Sequence, residues 1–230
     1  MSVSIVVLSK YRDIFARFNE SVQKFNPIQK VLIRTGNDIP FPDTGGWHVF
    51  TPEGEFNFAR FANIGIKACF GDVMIVNDDV TFPDPQTVQR LYEAAYSSKT
   101  YGIVSPKIVG GGQVPQTDVP GGTIITTPHF LAFVCVYIKR EVIDNIGFLD
   151  ERYSDGYGYE DVDYCVTARK AGYELAVTGH TSIQHGYDRQ SCSTSFIRTF
   201  QNGYGAAGAR NRERFMAKWG GKPLEDIWNG

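Results

Sequence analysis

Two clusters of acidic residues have the types and spacing to do chemistry. Asn77-Asp78-Asp79 follows, without a spacer, on the apolar run Val73-Met74-Ile75-Val76; Glu160-Asp161, with Asp163 close behind, follows the glycine- and tyrosine-rich Gly156-Tyr157-Gly158-Tyr159. Adjacent aspartates are poor strand formers, and burying them costs free energy unless they are paired or bound to metal. A turn accounts for such residues at a strand end. Hard divalent cations offer a rival reading, because Mg2+ or Mn2+ is held by one or two carboxylates plus substrate phosphates. Residues two apart in an extended segment point the same way, so Asn77 and Asp79 would share a cleft while Asp78 faces elsewhere.

Acidic residues near a helix N-terminus complement its dipole for about 0.3 to 1 kcal/mol each. That accounts for one or two of Glu160, Asp161 and Asp163, not for three beside a glycine- and tyrosine-rich rim. Consecutive helical residues point about 100° apart, so Glu160 and Asp161 address different atoms. Of the four histidines, His48 and His129 read as loop residues, while His180 and His185 flank Ser182-Ile183 near a strand end. A histidine there is either simply hydrogen-bonded or a metal ligand.

The elements that must position these groups alternate between strand and helix, which argues for an α/β fold with a mostly parallel central sheet and helices on both faces. Ser4 to Leu8 reads as a buried strand, and residues 12 to 24, with Ile14, Phe15, Phe18 and Val22 on one face, as an amphipathic helix. Val31-Leu32-Ile33 forms the second strand and breaks at Thr35-Gly36-Asn37-Asp38 and the Pro40 to Pro42 loop. Asn57 caps the next helix, whose buried face is Phe58, Phe61, Ala62, Gly65, Ile66 and Cys69, and Gly71 closes it. Val73 to Val76 is then a central strand that delivers Asn77-Asp78-Asp79 to the edge where open α/β sheets bind ligands. Cys135 to Ile138 is a strand entering a helix, a helix begins near Glu160 and closes at Gly172, and Tyr173 to Val177 is strand-like.

Composition narrows the setting. A chain of 230 residues with 42% apolar content suits one α/β domain. With 23 basic and 25 acidic residues, the overall balance advertises neither nucleic acid nor an anionic membrane as partner. The apolar start, Met1 to Leu8, lacks a basic n-region, and no apolar run approaches the ~20 residues of a membrane span, so a soluble, cytoplasmic chain is expected. Cys69, Cys135, Cys165 and Cys192 have no C-x-x-C pairing and read as small buried hydrophobes.

The stretch from Phe56-Asn57-Phe58-Ala59-Arg60 through Asn63-Ile64-Gly65 to Gly71-Asp72 and Val76-Asn77-Asp78-Asp79-Val80 resembles family 2 glycosyltransferases with the GT-A fold. Soluble members that build bacterial surface polysaccharides, including rhamnosyltransferase-like enzymes, are the most similar. A second block, Cys135 to Val142 followed by Ile146 to Tyr153 and Gly158 to Cys165, is similar to the segment leading into that family's E-D motif. The resemblance implies a single GT-A domain over 1–230: a nucleotide-sugar-binding half at 1–105, an acceptor-binding half at 106–195 and a C-terminal helical extension at 196–230. It implies a nucleotide-diphosphate sugar as donor, a divalent cation (Mn2+ or Mg2+), and a saccharide or other hydroxyl-bearing acceptor. In such enzymes acceptors extend to lipid-linked saccharides, proteins and modified nucleic-acid bases.

Carried over residue by residue, the resemblance makes Asp79 the metal ligand, Asp161 the catalytic base and Glu160 its support. Asn77, Asp78, Arg60 and Asn63 fall to the donor side. Ile183-Gln184-His185-Gly186 matches the family's strand followed by His, so His185 joins Asp79 as a metal or diphosphate ligand, with His180 the alternative. Where the family carries a base-reading Asp after the second strand, this chain has Arg34-Thr35-Gly36-Asn37-Asp38; either Asp38 reads the base from a shifted position or the base is read differently. Phe133 stands where a small residue is frequent, which would narrow the pocket. Asn211 to Trp219 is similar to the family's C-terminal helix.

The implied activity is transfer of a hexosyl or deoxyhexosyl group with inversion at the anomeric carbon. Two other classes compete. A nucleotide-sugar pyrophosphorylase calls for a glycine-rich loop after the first strand, and Leu8-Ser9-Lys10-Tyr11-Arg12 has no glycine. A non-catalytic nucleotide-sugar or glycan-binding module of the same fold would need no base, whereas both acidic motifs are present.

Overall fold

A computed structural model describes residues 2–25, 29–36, 44–110, 114–127, 129–154, 158–186 and 204–221, the backbone alone for 204–207. The strands are β1 (Val3–Ser9), β2 (Gln29–Arg34), β3 (His48–Phe50), β4 (Asp72–Asn77), β5 (Val80–Thr81), β6 (Tyr101–Val109), β7 (Ile124–Thr127), β8 (Cys135–Ile138) and β9 (Glu174–His185). The helices are α1 (Arg12–Val22), α2 (Phe58–Lys67), α3 (Thr87–Tyr96), α4 (Arg140–Ile146), α5 (Glu160–Lys170) and, here called α6, Tyr204–Lys218. One nine-stranded sheet runs β3-β2-β1-β4-β8-β6-β9-β5, with β7 also paired to β9.

The parallel reading holds for β3, β2, β1 and β4, and again for β6 beside β9. Between them β8 runs antiparallel to both β4 and β6, so the sheet is mixed. Two antiparallel steps restore the original direction, and the C-terminal ends of β1, β2, β4, β6 and β9 therefore open on one edge.

Alternation along the strands builds two cores. Val6, Val31, Ile33, Val73, Ile75, Val136 and Ile138 join Phe58, Phe61, Ile66, Val142, Val166 and Phe215 on one face. Ile5, Val7, Leu32, Met74, Val76, Cys135 and Tyr137 join Phe15, Phe18, Val22 and Leu91 on the other. Helices α2, α4, α5 and α6 thus cover one side and α1 and α3 the other.

Local choices agree with this plan. The Asn57 side chain accepts from the Arg60 N–H at 2.9 Å, capping α2 as expected. Gly65 lets α2 lie against β1, since a Cβ there would stand 2.4 Å from Val6 Cγ1. Asn19 is buried and accepts from Trp47 Nε1 at 2.8 Å. Cys69, Cys135 and Cys165 are free and buried, while Cys192 lies outside the described residues. No helix among the described residues is long and apolar enough to cross a membrane.

Two histidine placements differ from expectation. His48 begins the edge strand β3, whose three exposed residues carry no alternation to read. His180 lies within β9, in a bulge: Pro106 pairs with Thr178 and the next residue, Lys107, with Ser182, leaving Gly179, His180 and Thr181 out of register with β6, while Gly179 keeps backbone hydrogen bonds to Gly122 and Thr123.

Candidate active site

Strand β4 ends at Asn77, and β5 starts three residues later by pairing antiparallel with the end of β9, Val80 opposite His185. The Gly186 N–H donates to the Asp79 carbonyl at 2.9 Å. This two-residue turn brings Asp79 against His185, with Oδ1 3.4 Å from Nε2. Both side chains are buried, and neither atom has a hydrogen-bond partner. Buried polar atoms are almost always satisfied, so an unmatched carboxylate oxygen facing an unmatched imidazole nitrogen marks a place built for something more.

Asp78 faces elsewhere, as the alternation predicts. Its Oδ2 accepts from Ser9 Oγ at 2.6 Å, both residues being buried. Register explains the pairing: Leu8 lies opposite Asn77, so Ser9 extends toward Asp78. That partner was missed from the sequence, although adjacency of the two strand ends would have suggested it. Asn77 is half-buried, and its N–H donates to the Val134 carbonyl at 2.9 Å.

The second acidic cluster opens α5. Tyr159, immediately before it, is the one non-glycine residue among those described with a left-handed backbone, at φ 73°. Such a conformation costs of the order of 1–3 kcal/mol and persists where the surroundings enforce it; here the Tyr159 ring packs on Phe215 of α6, centroids 5.5 Å apart. Glu160 is buried, and its Oε2 has no partner. Burial foremost, and then the neighbouring Asp161, raise its carboxyl well above the usual range.

Asp161 is half-buried, and its Oδ1 accepts the Val162 N–H at 2.8 Å. Burial pushes this carboxyl up to about 6, against the opposing pull of the Val162 and Phe133 N–H groups. Asp163 serves the packing instead. It accepts from Lys218 Nζ at 2.7 Å and from Trp219 Nε1 at 2.8 Å, fastening α6 to α5.

The two motifs meet through the segment entering β8. Val134 holds the Asn77 N–H, and the adjacent Phe133 N–H faces the Asp161 carboxylate. The Phe133 ring turns into the core, edge-on to Tyr164 at 6.0 Å. Asn77, Asp78, Asp79, His185 and Asp161 therefore belong to one edge of the sheet.

Other anticipated residues have partners of their own. Arg60 donates to the Glu53 and Glu55 carbonyls at 2.9 and 3.0 Å. Asn63 is buried, exchanging hydrogen bonds with the Leu149 backbone and donating to Glu151 Oε1 at 2.9 Å. Both tie α2 to neighbouring loops. His180 is exposed, its carbonyl accepting from Arg90 at 2.7 Å. Asp38 lies outside the described residues.

The donor set fits a divalent cation in a limited way. Among the described residues no three His, Cys, Asp or Glu side chains converge as a complete metal cage. The orphaned pair Asp79 and His185 instead offers two ligands, the number at which substrate phosphates and water complete the shell of Mg2+ or Mn2+.

Comparison with known proteins bears on the fold. No family model matches the sequence, and no curated protein does. Solved structures do. The mannosyltransferase PcManGT from Pyrobaculum calidifontis, in complex with GDP-Man and Mn2+, superposes with TM-score 0.64 at 14% identity over 86% of this chain and 61% of its own. GalNAc-T7 with UDP, GalNAc and Mn2+ gives 0.74 at 16% identity over 95% and 48%. Residues 1–349 of TarS from S. aureus give 0.63 at 15% over 81% and 60%. This chain thus spans about half to three-fifths of each of these chains, and it has the GT-A glycosyltransferase fold they share.

Proposed function

We propose that this protein is a metal-dependent glycosyltransferase that moves a sugar from a nucleotide-diphosphate donor to an acceptor hydroxyl with inversion. The observation that carries the reading is the unmatched Asp79 and His185 pair at the edge where the strands open, in a fold whose solved examples include one complex with GDP-Man and Mn2+ and one with UDP, GalNAc and Mn2+. In this reading residues 1–105 hold the donor, 106–195 the acceptor, and 196–230 form a helical extension.

Asp79 and His185 would hold the cation, which supplies positive charge where the leaving diphosphate accumulates negative charge. Ser9 keeps Asp78 turned away, which leaves Asp79 as the carboxylate of the pair. On the other side Asp161 serves as base. As the acceptor oxygen bonds to the anomeric carbon, the bond from that carbon to the diphosphate oxygen breaks, its electron pair leaves with the diphosphate, and the hydroxyl proton passes to Asp161. A carboxyl held at about 6 is largely ionised at neutral pH yet more basic than an ordinary aspartate, which suits proton abstraction from a hydroxyl. Glu160, buried and with its carboxyl raised well above the usual range, would steady the start of α5 beside the base.

The test is donor turnover. Nucleotide sugars with GDP, UDP and dTDP leaving groups would be screened for Mn2+-dependent hydrolysis and transfer, with Asp79→Ala and Asp161→Asn as controls. Turnover abolished by Asp79→Ala, and transfer abolished by Asp161→Asn, is expected. Binding of a nucleotide sugar with no turnover under any condition would instead assign a non-catalytic binding module, and a product retaining the donor's anomeric configuration would overturn inversion.

A further inference from the structure

The helix that carries Asp161 begins at a strained residue. Tyr159, directly before α5, has a left-handed backbone at φ 73°, and Gly158 before it has φ 102°. Glycine takes such a backbone at no steric cost, whereas a tyrosine keeps it only where its surroundings enforce it. Nor does Tyr159 serve the helix end. Ser, Thr, Asp or Asn ordinarily caps a helix at this position, and Tyr159 supplies no side-chain cap. What the residue does contribute is its ring, which lies 5.5 Å from the ring of the fully buried Phe215 on α6, itself 6.4 Å from that of Trp219.

Two further contacts fasten α6 to α5. Asp163 accepts from Lys218 Nζ at 2.7 Å and from Trp219 Nε1 at 2.8 Å, and Lys170 in the last turn of α5 stands over the Trp219 ring, 5.6 Å from its centroid. Helical residues two apart point about 200° apart. An Asp163 fixed on α6 therefore turns Asp161 to the opposite side of α5, where its carboxylate meets the Phe133 N–H at the entry to β8. Together the three contacts oppose rolling of α5 about its axis and unwinding of its first turn.

We propose that α6 orients the base, and that Tyr159 and Phe215 are the positioning residues through which it acts. Their ring contact keeps the Tyr159 backbone left-handed, that backbone sets the direction in which α5 starts, and the start of α5 sets where the Asp161 carboxylate points. That Asp161 is the base rests on the transferase reading; that α6 orients its carboxylate rests on the contacts alone. A small misplacement of a reacting group lowers the rate steeply even when nothing touching the substrate has changed. Loss of the ring contact frees the first turn of α5 and opens the Asp161 carboxyl to water. The titratable groups beside it are Glu160 and, one turn on, the Cys165 thiol, both pushed up by burial. Burial likewise holds Asp161 above the ordinary aspartate range.

The experiment compares Tyr159→Gly, Tyr159→Phe, Phe215→Leu and the Tyr159→Gly, Phe215→Leu double variant, each in the full chain, with two readouts. Carboxyl 13C NMR follows the Asp161 titration in the free protein and needs no turnover. Its midpoint, about 6 in the wild-type chain, should fall by about one unit or more toward the ordinary aspartate value in Tyr159→Gly and Phe215→Leu. Tyr159→Phe keeps both ring and backbone, and its midpoint should stay. In transfer assays kcat should fall about tenfold or more in Tyr159→Gly and Phe215→Leu, with the donor KM changed less than about twofold, while Tyr159→Phe keeps wild-type values. The double variant should be no worse than the worse single one, because both substitutions cut the same chain of contacts. Melting temperatures identify a variant that has lost its fold; should Phe215→Leu do so, Tyr159→Gly decides alone, since glycine suits the same backbone. A midpoint or a kcat unmoved by Tyr159→Gly overturns the positioning role. So does a loss in Tyr159→Phe as large as in Tyr159→Gly, which would make the hydroxyl a substrate contact. A shifted midpoint in a chain that turns over no nucleotide sugar leaves α6 as the element that orients Asp161 and sinks the transferase reading instead.

Discussion

The backbone N–H of Asn77 is held by the carbonyl of Val134, 2.9 Å away. Because the next residue back, Phe133, presents its N–H to Asp161, one dipeptide at the entry to β8 ties the donor-side motif to the base. A shift of that dipeptide would move both.

Removal of the cation ligands should separate them from the scaffold. Mn2+ with a nucleoside diphosphate at about 100 times its Kd should stabilise the wild-type chain by about 2.7 kcal/mol. Asp79→Ala should erase that increment, and His185→Ala should raise the Mn2+ concentration for half-maximal effect about tenfold or more. Mn2+ should act better than Mg2+, since an imidazole sits beside the carboxylate. Thermal melts across a Mn2+ and Mg2+ series provide the measurement.

Transfer should follow the Asp161 carboxylate. The base form dominates above about 6, so kcat for transfer should be flat above pH 7 and fall roughly tenfold per unit well below 6. Asp161→Asn should lower transfer by about 10²–10⁴-fold. A pH profile that rises toward acid would remove Asp161 from the role of base.

The same two carboxyls bear on stability with a definite sign. Folded pKa values raised above the unfolded ones favour the native state while the groups are protonated; that advantage is lost as pH climbs from the unfolded value through the folded one. Glu160→Gln and Asp161→Asn should therefore each stabilise the free protein at pH 7.5, Asp161→Asn by about 1–2 kcal/mol given its partial exposure, and should do little at pH 4. Urea titrations at the two pH values decide this.

Ser9→Ala should destabilise by about 1.5–3 kcal/mol, because the buried Asp78 carboxylate loses a donor. Ser9→Thr retains the hydroxyl and should recover most of the loss. An alanine variant as stable as wild type would mean that Asp78 takes its support elsewhere.

At Gly65 two effects oppose. Alanine gains about 1 kcal/mol in helix propensity, but its Cβ would meet Val6 Cγ1 at 2.4 Å, and overpacking costs about 1–3 kcal/mol. A lowered midpoint in denaturant is expected for Gly65→Ala.

Much of the frame was legible in the sequence because its signals are local. The continuous apolar runs within Val3–Ser9 and Asp72–Asn77, the Asn57 cap and the acids in the first turn of α5 each declare themselves within a few residues. The divergence of Asp78 from Asp79 followed from strand alternation alone. What escaped depends on partners far along the chain. The Ser9 to Asp78 bond joins residues 69 apart, and the antiparallel insertion of β8 is a fact of topology that no periodicity encodes. Nor could spacing tell that Asp163 belongs to Lys218 and Trp219 rather than to the chemistry of its two neighbours.

The break in register at residues 179–181 of β9 has a consequence for how this chain can change over time. Side chains on a strand swap faces with every residue gained or lost. Upstream of His185, a length change at the exposed His180 falls where the β6 register is already broken and leaves the pairing of Ser182 to Gln184 intact, so the imidazole keeps its orientation. The same change between Ser182 and His185 would present Gln184 or Gly186 to Asp79 instead. Drift in length is thus tolerated on one side of a single boundary and lethal to the site on the other, which makes the bulge a vernier for this edge of the sheet.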